Sequence, residues 1–126
     1  MHWQRRCGSL IGYWRSDHEP EWPDVRNFVD PTWDAEERRL VTLYLEGAVD
    51  TPWSYAGDSD CRFCGELNGA GEKTDGIYVW PEGLAHYVLE HDVRLPREFV
   101  AHVQTALTRG FFPAIDDSWW RRQQSL

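Results

Sequence analysis

Cys61-Arg62-Phe63-Cys64-Gly65, followed by Ile77-Tyr78-Val79-Trp80-Pro81-Glu82-Gly83-Leu84-Ala85-His86-Tyr87-Val88-Leu89-Glu90-His91, is the part of the chain whose reading decides the fold. Two thiols with two residues between them can share one tight turn, and Gly65 gives that turn a residue free to take positive φ. Ile77 to Trp80, rich in β-branched and aromatic residues, predicts a strand. Pro81 suits the first position of a helix running to about His91, and that helix carries two imidazoles. Two thiolates and two imidazoles are a donor set that binds zinc tetrahedrally. The expected ligands are Cys61, Cys64, His86 and His91. The expected architecture is a turn, a strand and a helix held together by one Zn2+ ion.

The spacing of the histidines sets a condition. Residues five apart stand about 140° around a regular helix. Both rings can meet one ion only if the helix tightens or ends near His91, and Asp92 to Pro96 makes an early end reasonable. His102, on the flank of a later apolar stripe, stands as an alternative fourth ligand. Glu82 and Glu90 lie four residues either side of His86, where either could accept the ring proton that faces away from a metal. The plain alternative is solvated helix charges. For the cysteines it is two free thiols, or a thioredoxin-like pair. The latter needs a strand running into Cys61 and a helix starting there, and neither is signalled.

Outward from this unit, Asp34 is a good N-cap with Glu37 three residues on. Leu40, Val41, Tyr44, Leu45 and Ala48 form an apolar stripe, Arg38 and Arg39 face solvent, and Gly47 marks the stop. Pro96 begins a third helix with Phe99, Val103, Ala106 and Leu107 on one face and Gly110 at its end. Leu10 to Trp14 and Trp53 to Ala56 read as short strands, with Gly57 and Asp58 turning into the cysteine segment. Asn68-Gly69 and Asp75-Gly76 are turns. Ser16 to Pro31 reads as an acidic, proline-rich loop pinned by Trp22 and Phe28. Phe111, Phe112, Trp119 and Trp120 in the tail are expected to dock on the body. The fold class expected is α+β: a small, mainly antiparallel sheet with about three helices. It forms one domain over 1–126, with the metal unit at 58–109 and loosely held ends at 1–9 and 121–126.

The chain has 126 residues, 41% hydrophobic and 27% charged, which fits one globular domain. Eight tryptophans supply large buried area for a small core or a binding face. The net charge is −8. Residues 1–60 hold 12 acids and 6 bases, and residues 61–126 hold 9 acids and 7 bases. Neither half has the basic stripe that nucleic-acid binding needs, although Arg62, Lys73, Arg94 and Arg97 could cluster beside Tyr78 or Trp80. Three cysteines, two of them close together, do not make a disulfide framework and point to a reducing, cytoplasmic setting. Cys7 reads as a free thiol, and His18, amid acids, as part of a charged loop. Met1 to Trp14 lacks the apolar core of a secretory leader, and no window approaches a membrane span.

The order of knuckle, strand and histidine-bearing helix resembles a C2H2-type zinc finger across residues 61–91. The departure is the stretch of 21 residues between Cys64 and His86, against about a dozen in DNA-reading fingers. The block from Cys61 to Gly65, with Thr74-Asp75-Gly76 and Tyr78 to Tyr87, also resembles small bacterial proteins of unknown function. That resemblance implies one unit and no activity.

A zinc closed by four protein ligands leaves no place for substrate. The expected role is a binding or accessory module acting on another protein through its acidic, aromatic N-terminal half. An inhibitor or immunity-type role against a basic partner fits the charge. A zinc-dependent hydrolase would instead need an open metal position with Glu82 or Glu90 as base. No H-E-x-x-H pattern is present. A nucleic-acid-binding finger is the weaker alternative.

Overall fold

In the computed structural model, which describes residues 9–51, 60–110 and 123, Asp34 caps the first helix, α1 (Ala35–Gly47), by accepting the Glu37 N–H at 2.9 Å. The Glu37 carboxylate does not complete a capping box. It takes the Trp33 indole N–H at 2.6 Å and the Gln104 amide at 2.8 Å. The helix runs through Gly47, one residue beyond the expected stop, and Ala48 is its C-cap. Val41, Tyr44, Leu45 and Ala48 are buried, while Leu40 stays partly in water at 36%. Arg38 departs from the solvent-side expectation: its side chain is only 19% exposed and reaches Asp92 at 2.7 Å.

Among the described residues four strands, β1 (Ser9–Leu10), β2 (Val49–Asp50), β3 (Glu72–Thr74) and β4 (Tyr78–Pro81), form one sheet ordered β1-β4-β3-β2. The pairs β2–β3 and β3–β4 are antiparallel, and β1 is a parallel edge on β4. The expected strand at 10–14 therefore shrinks. Ser9 N–H donates to Ile77 and Ile11 N–H to Val79, and then Gly12, at φ +81°, turns the chain inward. Asp75-Gly76 is the hairpin turn: Asp75 Oδ1 accepts the N–H groups of Ile77 and Tyr78, both at 2.8 Å.

Pro81 ends β4 and does not open the next helix, α2 (Leu84–Glu90). Opposite Glu72 it has no N–H to donate to the ladder, and the neighbouring Glu82 N–H makes the bond to Gly71 instead. Helix α3 (Arg97–Thr108) follows Pro96 at its N-cap, and Gly110 at φ +73° follows its end.

One hydrophobic cluster extends from Trp14 to Ala106. Trp80, Val79, Val88, Val93 and Val103 are fully buried, each such side chain contributing about 1.5–3 kcal/mol. Tyr44, Trp80 and Phe99 pack ring against ring at 5.8–6.4 Å between α1, β4 and α3. The acidic loop carries a 3₁₀ turn at Val25–Phe28, capped by Asp24, with Val25 buried. Phe28 packs on Trp14 at 5.1 Å, and Trp22 on Tyr13 at 5.9 Å. No helix among the described residues is long and apolar enough to cross a membrane. The readings placed on Cys7, on a strand at 53–56, on Gly57-Asp58 and on Phe111, Phe112, Trp119 and Trp120 lie outside the described residues, as do most of the two ends.

Candidate metal centre

The knuckle is built by backbone bonds around the two cysteines. Cys61 N–H donates to Glu66, and Gly65 N–H donates back to Cys61, both at 2.9 Å. Asp60 and Leu67 pair across the base of this turn. Gly65 takes φ +75°, the left-handed region that favours glycine. Phe63 N–H points at Cys61 Sγ from 3.4 Å, the kind of donor that supports a thiolate. Arg62 N–H donates to the Tyr87 hydroxyl at 2.9 Å, fastening the knuckle onto α2. Burial raises the Tyr87 phenol above its ordinary value, so it stays neutral in this role.

The histidines come from the other side. His86 lies inside α2, and its Nε2 is 3.5 Å from Cys64 Sγ. The helix ends at Glu90, and His91 is the C-cap at φ −126°, outside helical geometry. That break resolves the conflict set by five-residue spacing: the two rings stand 4.9 Å apart, centre to centre. Asp92 at φ +57° then redirects the chain. Phe63 stacks on His91 at 4.9 Å.

Cys61, Cys64, His86 and His91 each offer one donor atom, and these atoms all lie within 4.8 Å of one another. The four residues could therefore hold a metal ion. His91 Nε2 is buried and has no hydrogen-bond partner among the described residues. A buried nitrogen without a partner costs about 1–3 kcal/mol, and a metal bond removes that cost. The sulfurs make a similar case. The Glu66 amide favours the Cys64 thiolate, but desolvation and the adjacent Cys61 sulfur outweigh it and hold the Cys64 thiol above its ordinary value. A divalent cation between the sulfurs reverses that balance.

The other candidates sit elsewhere. His102 Nε2 is 2.6 Å from Asp75 Oδ2 and is not part of the cluster. Glu82 turns its Oε1 to the N–H groups of Ala70 and Gly71, at 3.1 and 2.6 Å, and so clamps that loop. Glu90 and His18 are exposed.

Sequence reasoning passed over Asp75 as more than a turn residue. Its buried carboxylate also accepts from Tyr44 at 2.6 Å. Burial opposes its ionisation, but hydrogen bonds from Tyr44, Tyr78, His102 and Ile77 overcome this and hold the carboxyl below its ordinary range. Burial, followed by the bond to Asp75, keeps Tyr44 protonated. The Asp-Gly signal found the turn; only the tertiary packing of α1 and α3 could disclose the rest. Set against family models, curated proteins and solved structures, the chain gives no match.

Proposed function

We propose that the protein is a zinc-stabilised binding module that works through contacts with another protein of basic character. The observation that carries this reading is the convergence of two sulfurs and two imidazole nitrogens on one point. A sulfur and a nitrogen bound to the same tetrahedral zinc stand about 3.6 Å apart, given bond lengths near 2.3 and 2.05 Å. The Cys64–His86 separation of 3.5 Å fits that edge. Two thiolates with two imidazoles favour zinc over the hard cations, which prefer oxygen. Four protein donors fill the tetrahedron, so the ion braces the fold and no position is left for substrate.

The acidic segment of Asp17, Glu19 and Glu21 is exposed. Together with the net charge of −8 it supports a basic partner, as an inhibitor or immunity-type protein would meet. The test has two arms. Native mass spectrometry of reduced protein should give one zinc per chain, and cobalt substitution should give the intense visible bands of a four-coordinate S2N2 site. A five- or six-coordinate cobalt spectrum would point to an open position and a hydrolase. Crosslinking in cells should then recover a basic protein partner; recovery of nucleic acid alone would overturn the protein-contact reading.

A further inference from the structure

Beside the knuckle lies a cavity of about 160 Å³ whose wall is aromatic: Tyr13, Trp14 and Trp22 from the N-terminal segment and Tyr87 from α2. Among the described residues, three carboxylates, Glu19, Glu72 and Glu82, share the wall with one cation, Arg62. Glu72 is only 7% exposed and accepts from the Tyr13 hydroxyl. Arg62 spends its guanidinium on the backbone carbonyls of Asp60, Arg15 and Trp14. Among the described residues of the wall acids thus outnumber bases by three to one. On the far side the Gly69–Gly71 backbone is held in place by Glu82.

Aromatic faces next to carboxylates attract a cation twice, through the ring quadrupoles and through charge. The volume is below the roughly 300–1,000 Å³ of sites for drug-sized ligands and suits the end of one side chain. We infer that this cavity receives an arginine or lysine side chain of a basic partner protein. The inference deepens the protein-contact reading above and rests on it. It commits the docking surface to the place where the acidic loop, the ends of β3 and β4 and the knuckle meet.

The test uses the full-length, zinc-loaded protein and three probes: acetyl-Gly-Arg-Gly-amide, the same peptide with uncharged citrulline for arginine, and ethylguanidinium. Binding is followed by tryptophan fluorescence. The arginine peptide should bind saturably, at least tenfold tighter than the citrulline peptide, and weaken with added salt. Trp22→Ala should weaken it about tenfold, within the range set by one lost cation–π contact. Glu19→Gln, an exposed change that leaves the core alone, should weaken it several-fold. Zinc content and melting temperature of each variant show that it is folded.

Equal binding of the citrulline peptide, or no saturable binding to folded, zinc-loaded protein, overturns the assignment. Ethylguanidinium, which reproduces the end of the side chain, should compete with the peptide, and failure to compete also overturns the assignment. If a basic partner is captured in cells and Trp22→Ala leaves that capture unchanged, the cavity assignment fails while the protein-contact reading stands. If the peptide binds as expected but no basic partner is recovered, the cation site stands and the protein-contact reading fails.

Discussion

Asp75→Asn removes one charge and almost no volume. The native carboxylate accepts four bonds: from Tyr44 and His102 at 2.6 Å, and from the Ile77 and Tyr78 N–H groups at 2.8 Å. Bonds to a charged acceptor contribute about 1.5–3 kcal/mol each, against 0.5–1.5 for neutral ones. The asparagine oxygen can still serve the two backbone groups, and its amide can donate to Tyr44 and, after a change of tautomer, to His102. Each of four bonds thus loses about 1 kcal/mol, partly offset by the relieved cost of burying a charge. The net is roughly 2–3 kcal/mol, or about 10 °C in melting temperature for a chain of this length. The pH dependence has a definite sign. The Asp75 carboxyl titrates lower in the folded chain than in the unfolded one, so its stabilisation is complete above the unfolded value of about 3.9. It is lost as the pH falls through the folded value. Thermal melts from pH 7 to pH 3 should show the wild-type advantage shrinking towards the acid end. A mutant within 2 °C of wild type at pH 7 (about a fifth of the expected shift), or an advantage that grows with acid, would refute the reasoning.

Three further outcomes follow from the metal site and its supports. Cys61→Ser and Cys64→Ser should each abolish zinc retention, while Cys7→Ser keeps it; zinc lost from Cys7→Ser, read by native mass spectrometry, would mean a different ligand set. Protons compete with the metal for imidazole and thiolate, so chelator-sensitive stability should be present at neutral pH and vanish as the pH falls, and a melting temperature unmoved by chelator at pH 7 would contradict a bracing role. A Cβ on Gly83 would strike the side chain and carbonyl of Asn68, whereas one on Gly47 meets nothing among the described residues. In urea denaturation Gly83→Ala should therefore cost about 1–3 kcal/mol, and Gly47→Ala should be neutral or stabilising by about 0.5 kcal/mol.

The helices were legible because their signals are local. Asp34, Pro96 and the apolar spacing of α1 and α3 act within a few residues of themselves. The four clustered residues were legible because C-x2-C and two nearby histidines form a chemical pattern. The shape of α2 was less so: Pro81 is as suitable for a strand end as for a first helical turn, and only the β3 partner decides. β2 and β3 are two and three residues long, and β3 is Glu-Lys-Thr. Such segments carry no periodicity, and their pairing is fixed by the hairpin and the helix beside them. The contacts of Arg38, Glu82 and His102 were not legible for a common reason. Each is a long polar side chain whose partner (Asp92, the Gly69–Gly71 loop, Asp75) is distant in sequence and invisible to spacing arguments.

The edge position of β1 has a consequence for folding order and for amide exchange. The knuckle, the β3–β4 hairpin and α2 are close in sequence, so their contacts close short loops and can form early. Joining β1 to β4 brings together Ser9 and Tyr78 and closes the longest loop in the sheet. The reward is small: two exposed residues and a few edge bonds. This pairing should form last and open first, as a sub-global event well below the free energy of full unfolding. The amides of Ser9 and Ile11 should then exchange with solvent long before those of Val79 and Trp80. Tyr13, three residues beyond β1, lines the aromatic wall, so an opening that spread past Gly12 would loosen that wall, and its docking would then be timed by the weakest seam in the sheet.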